Sequence, residues 1–328
     1  MDEPLLETKV VEAHEDAVRL AADLILSGEL VAFPTETVYG LGGDATNPSS
    51  AAKIYSVKGR PVDNPLIVHV GSLEEACGVG VMTDLAEMLC MAFWPGPLTV
   101  VVPAREVIPR EVRGGLDTVA VRCPSHPVAL ALISASGVPI AAPSANRSGR
   151  PSPTDASAVM EDLGGLIPLI LDGGPCRVGL ESTVVDATSD VPVILRHGGV
   201  TAQELRDVAG EVLTVGGEEL KRRSPGTRHR HYAPSVPVFL WAGGPVDIGS
   251  LGGGMVGYVG LEEPPCGVSH AVRARDVREY ARELFRSFRE MERMGVSAIL
   301  AQVPPKGDPM GDALFDRLFR ASGGRTAG

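Results

Sequence analysis

Cysteine is scarce and never placed for metal or redox chemistry: Cys77, Cys90, Cys123, Cys176 and Cys266 include no CxxC pair, and five cannot all pair internally. A disulfide framework and a recognisable zinc site are thereby excluded, and reduced thiols in a cytoplasmic protein are expected. Positive charge is short as well, with 30 Lys and Arg against 41 Asp and Glu and a formal net charge of −11. That balance excludes a generally basic surface that grips nucleic acid by neutralising phosphates, while leaving room for a local basic pocket. No apolar run approaches bilayer-spanning length, and MDEPLLETKVVEAHED lacks the basic start and apolar centre of a signal peptide, so no membrane association is expected. There is no GxxxxGK[ST] segment, hence no P-loop. Gly252, Gly254 and Gly257 have GxGxxG spacing but precede the strand-like VGYVG instead of opening a helix after a strand, which argues against a dinucleotide fingerprint.

What is present describes a folded chain. Hydrophobic residues make up 44% and charged residues 22%, too few charges for disorder, and 328 residues exceed what one core comfortably holds, so two domains are expected. Val18, Ala21, Leu24 and Ile25 recur at helical spacing before Ser27-Gly28, predicting a helix over 15–26. Strand-like runs follow at 30–35, 65–70, 98–104, 118–124, 139–145, 169–174, 182–187 and 192–198. Helical patterns fall between them near 51–57, 83–93, 127–136 and 154–163. This mixture predicts an α/β domain over 1–215 with one large twisted mixed sheet. The pattern breaks over 216–237, GGEELKRRSPGTRHRHYAPSVP, which reads as a linker. Beyond it, strands, a long amphipathic helix near 276–294 and a last helix near 312–321 predict a small Rossmann-like α/β domain over 238–328.

Three segments carry polar groups suited to an anion. PTETVYGLGGDA places Thr35, Thr37 and Tyr39 at a strand end before a glycine-rich turn. KGRPVDNPLIVHV follows, where Lys58 and Arg60, if extended, project to one side as a point charge beside a planar fork. Alone, a KxR pair reads more readily as solvated surface charge. APSANRSGRPSPT sets Ser144, Asn146 and Ser148 after an apolar strand, among small residues that let a ligand approach. Arg122, Arg177 and Arg196 sit at strands or turns, where a core salt bridge and an anion site are equally good readings. His69 on the alternating PLIVHV strand reads by itself as a half-buried histidine, and Trp94 in WPGPLT as turn architecture.

The ordered set PTETVYGLG, KGRPVDNPLIVHV, WPGPLT, VAVRCPSHP, APSANRSGRPSPT, GLESTVVD, ILRHG and SPGTRHRHYAP resembles the L-threonylcarbamoyladenylate synthase family, whose core is called the YrdC-like domain. Its KxR and SxN signatures match Lys58/Arg60 and Ser144/Asn146. The resemblance covers roughly 15–235, and the last domain is similar to that of the long family members. It implies that ATP, L-threonine and bicarbonate give threonylcarbamoyl-AMP and pyrophosphate, for threonylcarbamoyladenosine beside the tRNA anticodon. By motif position, Arg60, Asn64, Thr118, Ser144, Ser152, Arg196 and Tyr232 would contact ATP, with Lys58 near its phosphates and Asn146 on the phosphate side. Thr37, His69, Arg122, Ala142 through its backbone, and Ser182 would hold threonine. Mg²⁺ would arrive with ATP, since no acidic cluster forms a protein cage. The linker, basic at Lys221, Arg222, Arg223, Arg228 and Arg230, would be a lid bringing Tyr232 to ATP, anchored by the last domain. The product would pass to the tRNA threonylcarbamoyl transferase machinery, with no stable tRNA binding required. A non-catalytic RNA-binding protein of the same fold is the rival reading. Carbamoyl transfer in hydrogenase maturation is disfavoured because the chain lacks zinc-finger cysteines.

Overall fold

The computed structural model describes residues 6–214 and 232–327. The first stretch forms strands β1 (Lys9–Glu12), β2 (Val31–Phe33), β3 (Gly40–Asp44), β4 (Ile67–His69), β5 (Leu98–Pro103), β6 (Thr118–Arg122), β7 (Ile140–Ala141), β8 (Leu169–Asp172), β9 (Thr183–Asp186), β10 (Val193–Arg196) and β11 (Leu213–Thr214). They join in one sheet of order β1-β8-β2-β3-β7-β4-β6-β5-β9-β10-β11. Parallel pairs such as β4/β6 and β5/β9 alternate with antiparallel pairs such as β2/β3 and β5/β6, which is the mixed sheet expected from the sequence.

Strand alternation decides what covers each face. Leu30, Ala32 and Ile170 enter one core with Ile54, Leu89 and Val159, whereas Val31, Phe33, Leu169 and Leu171 enter another with Ala21, Ile25, Leu132 and Ile133. The second core is supplied by helices α1 (Glu15–Leu26) and α5 (Pro127–Ser136). The first takes α2 (Pro48–Lys58), α3 (Leu73–Val79), α4 (Asp84–Phe93), α6 (Ala156–Leu163) and α7 (Ala202–Ala209). Full burial of each such Leu, Ile or Phe contributes about 1.5–3 kcal/mol, so helices and sheet hold each other in place.

Three local expectations are corrected. Gly40–Asp44 is a buried strand, not a turn; its glycines are needed because a Cβ on Gly42 would stand 2.7 Å from Phe33 Cε1 and 2.9 Å from Ile140 Cγ2. Lys58 and Arg60 do not lie on an extended segment. Lys58 is the last residue of α2, and Gly59 caps it in the left-handed region at φ 60°, which swings Arg60 back. The helix near 154–163 begins at Ala156, where Asp155 accepts from Ala158 N.

The second stretch forms β12 (Val238–Trp241), β13 (Val256–Gly260), β14 (His270–Arg273) and β15 (Ala298–Gln302), a parallel sheet of order β12-β15-β13-β14. Helices α8 (Val277–Arg293) and α9 (Gly311–Ser322) pack on it through Ala281, Leu284, Phe288, Leu314 and Leu318. Gly257 lies inside β13 and opens no helix, as the sequence suggested. Val38 and Leu180 of the first stretch belong to this same core, so the small sheet's helices press against the larger sheet beside its polar segments. Among the described residues no helix is long and apolar enough to cross a membrane.

Candidate active site

The polar segments meet in a recess that is partly open to solvent. It lies over the face of β4, β6, β9 and β10 on which Ile67, Ala120, Val184 and Leu195 form a small cluster. Side chains two residues along point the same way, which puts His69 beside Arg122, its register partner across β4 and β6, and Ser182 beyond Val184. Simple alternation would send Arg196 to the opposite face. A bulge between Ile194 and Arg196 sets Arg196 opposite Val184 and turns it into the recess.

One end of the recess is built on the KxR and SxN segments. The Lys58 ammonium, 3% exposed, donates to Ser144 O at 2.6 Å, to Asn146 O, and to Asn146 Oδ1 at 3.4 Å. Ser144 Oγ donates to Asn146 Oδ1 at 2.5 Å, and Asn146 Nδ2 donates to Arg147 O and Arg150 O. Lys58 thus clamps the serine loop to the end of α2. Burial, then the Arg60 charge, pull its pKa well below the ordinary lysine value, with Asp162 opposing. Arg60 donates through Nε to Asn64 O at 3.1 Å and through Nη2 to Pro65 O at 2.9 Å. Burial lowers it to about 10, so it keeps its charge at neutral pH.

The other end gathers Thr37, His69, Arg122 and Ser182. Arg122 Nη2 meets Glu36 Oε1 at 2.6 Å while Nη1 donates to Thr37 Oγ1 at 2.9 Å, so this arginine is both a core salt bridge and part of the wall. His69 Nδ1 lies 3.2 Å from Ile67 O, an acceptor, which assigns the proton to Nδ1. Burial, then Arg122, lower its pKa to about 3, keeping the ring neutral. Arg196 Nη2 donates to Ser182 O at 2.9 Å and Ser182 Oγ at 3.1 Å. Ala142 N bonds Ile67 O at 2.8 Å, so a backbone contact to a ligand falls to its carbonyl.

Ser152 and Tyr232 complete the wall. Tyr232, at φ 68° and 4% exposed, stacks on Phe285 with centroids 5.5 Å apart. The basic residues 221–230 of the expected lid lie outside the described residues. Asn64 and Thr118 are not in the recess wall: Asn64 positions Arg60 through its carbonyl, and Thr118 shares the face of Arg122 at the far end of β6. Arg177 is exposed, and Trp94 donates to Leu98 O away from the recess. Sequence reasoning missed two acids, Glu36 and Glu181. It also missed two buried arginines, Arg289 and Arg317, that interrupt the apolar stripes of α8 and α9; an arginine at core spacing was the available signal. Among the described residues, Lys58, Arg60, Arg122 and Arg196 therefore line the recess against the single acid Glu181, a balance that suits an anion. Among the described residues no three His, Cys, Asp or Glu side chains come together as a metal site.

A family model described as Telomere recombination, covering Sua5, YciO and YrdC, matches residues 23–198, and one described as Threonylcarbamoyl-AMP synthase, C-terminal domain, matches 200–323. A threonylcarbamoyl-AMP synthase of Pyrococcus abyssi is 46% identical over 95% of this chain and 96% of its own length. One of Bacillus subtilis is 42% identical over 97% and 96%. The crystal structure of P. abyssi Sua5 complexed with L-threonine superposes with a TM-score of 0.88 at 44% identity, covering 98% of each chain. Escherichia coli YciO, 22% identical over 59% of this chain and 95% of its own at a TM-score of 0.52, shares the fold of the larger sheet.

Proposed function

The chain belongs to the threonylcarbamoyl-AMP synthase family, and we propose that it makes threonylcarbamoyl-AMP from L-threonine, bicarbonate and ATP, releasing pyrophosphate. The observation that carries this reading is the two-ended recess: buried Lys58 and Arg60 with the SxN loop at one end, and Thr37, neutral His69, Arg122 and Ser182 with Arg196 at the other. Threonine's amine and bicarbonate condense to a carbamate with loss of water. The carbamate oxygen then attacks the α-phosphorus of ATP, forming the acyl–phosphate bond as the α–β bridge breaks and pyrophosphate leaves with its electron pair.

No covalent enzyme nucleophile is required, so the residues act by positioning and by offsetting charge. In our reading Arg122, Thr37, Ser182, the Ala142 carbonyl and His69 orient threonine and its carbamate. Neutral His69 can accept through Nε2 without adding charge. Arg60, Ser144, Ser152 and Arg196 hold the nucleotide, Lys58 and Asn146 shape the phosphate side, and Tyr232 closes over it. Thr118, on the face of Arg122 but about 13 Å along β6, meets the nucleoside end, while Asn64 acts on ATP through Arg60. Mg²⁺ enters with ATP as part of the substrate, since Glu181, the one lining acid among the described residues, is already engaged by Ser152 and Arg317.

We assign residues 1–215 to a catalytic domain, 216–237 to a connecting lid and 238–328 to a C-terminal domain. We place the protein in the cytoplasm, in keeping with its five free thiols, with the adenylate passing to a tRNA-modifying transferase. Purified protein given ATP, threonine and bicarbonate is expected to release pyrophosphate, and omission of either co-substrate is expected to stop it. Salt-dependent RNA binding with no turnover would instead favour a non-catalytic protein.

A further inference from the structure

Arg317 is completely buried on α9, a helix whose other buried residues include Ala313, Leu314, Leu318 and Ala321. Its guanidinium leaves that core and reaches the recess wall: Nε donates to Glu181 Oε2 at 2.7 Å and Nη2 to His197 O at 2.9 Å. Nη1 donates to Asp316 Oδ2 at 2.6 Å, and the guanidinium carbon stands 4.9 Å from the centroid of the Tyr232 ring. Among the described residues Glu181 is the only acid lining the recess, and its other oxygen accepts Ser152 Oγ–H at 2.5 Å. A carboxylate there, without a counter-charge, would face the anion that Lys58, Arg60 and Arg196 are arranged to hold. Burial pushes the Glu181 pKa up, but Arg317, then Arg196, outweigh it and keep the group ionised. The cation that offsets this acid is therefore delivered by the C-terminal part of the chain.

We propose that Arg317 is a positioning residue of the nucleotide site: by neutralising Glu181 and fixing its bond to Ser152, it keeps the recess receptive to a polyphosphate. The inference rests on the nucleotide reading of the recess. It makes the C-terminal part an electrostatic component of the site as well as a structural neighbour.

The test uses full-length wild type, Arg317→Met, Glu181→Gln and the double variant, with ATP affinity by calorimetry, KM for ATP and threonine, and thermal unfolding. Arg317→Met is expected to weaken ATP binding about tenfold or more, because truncating one partner strands the other charge. Threonine KM is expected to move less. Adding Glu181→Gln is expected to bring ATP affinity back to within about threefold of Glu181→Gln alone. Unchanged ATP affinity in folded Arg317→Met, or a loss that Glu181→Gln does not recover, overturns the proposal. Should Arg317→Met fail to fold, the double variant is compared with Glu181→Gln alone; equal affinity supports the proposal and a further tenfold loss overturns it. Wild type that binds ATP but releases no pyrophosphate refutes the synthase reading while leaving the affinity comparison intact. Wild type that binds no ATP overturns both.

Discussion

Replacing Lys58 with Met probes the joint between α2 and the SxN loop. The side chain's length is kept, while the donors to Ser144 O, Asn146 O and Asn146 Oδ1 are lost. Hydrogen bonds from a charged donor contribute about 1.5–3 kcal/mol each, and two of the three are short, so the gross loss is about 3–6 kcal/mol. Relief from burying an ammonium returns part of that, leaving a net destabilisation of about 2–4 kcal/mol. Catalysis should suffer separately, because the loop that Lys58 clamps shapes the phosphate side, and displacing positioning groups by about 1 Å costs about 10²-fold. Urea unfolding reads the first effect, and pyrophosphate release dependent on threonine and bicarbonate reads the second at a temperature where the variant is folded. A folded variant whose kcat/KM stays within about threefold of wild type, a change well under 1 kcal/mol, would refute the assignment of Lys58 to the site.

Three further outcomes are expected. Because His69 titrates near 3 in the native protein and near 6.5 when unfolded, the unfolded chain binds the extra proton in that window, so stability falls as pH drops through it. From pH 7 to pH 5 this amounts to about 2 kcal/mol in urea unfolding, and an equal pH slope in His69→Gln would contradict it. Arg122→Met should cost about 3–5 kcal/mol by stranding Glu36, with partial recovery on adding Glu36→Gln; an unshifted denaturation midpoint counts against the buried pair. Gly42→Ala should cost about 1–3 kcal/mol through overpacking against Phe33 and Ile140, with KM for ATP unchanged, and a neutral unfolding result would contradict the packing of β3.

The sequence made the long elements legible, because α1, α4 and α8 carry strong apolar periodicity, α5 is apolar nearly throughout between Pro127 and Gly137, and strands such as Leu98–Pro103 are nearly continuous apolar runs. Short or atypical elements escaped. β1 is a four-residue edge strand with little burial, β3 is made mostly of glycine, and α3 has only seven residues. The helix α7 was readable in principle, since Thr201 and Glu204 form a capping box. At the site, the cations and hydroxyls stood out as motifs. Their partners did not, because Glu36 meets Arg122, and Glu181 meets Arg317, only through tertiary contacts far apart along the chain. The direction of Arg196 was equally hidden, since it depends on a bulge that alternation does not foretell.

The central claim is that bicarbonate carbon ends up bonded to both threonine and AMP. Incubating the purified chain with ATP, threonine and ¹³C-labelled bicarbonate, then weighing the nucleotide products by mass spectrometry, tests it directly. A threonine-dependent AMP adduct carrying one ¹³C is the predicted result. Turnover of ATP that yields only unlabelled AMP or ADP, or a threonyl-AMP without the labelled carbon, would contradict it.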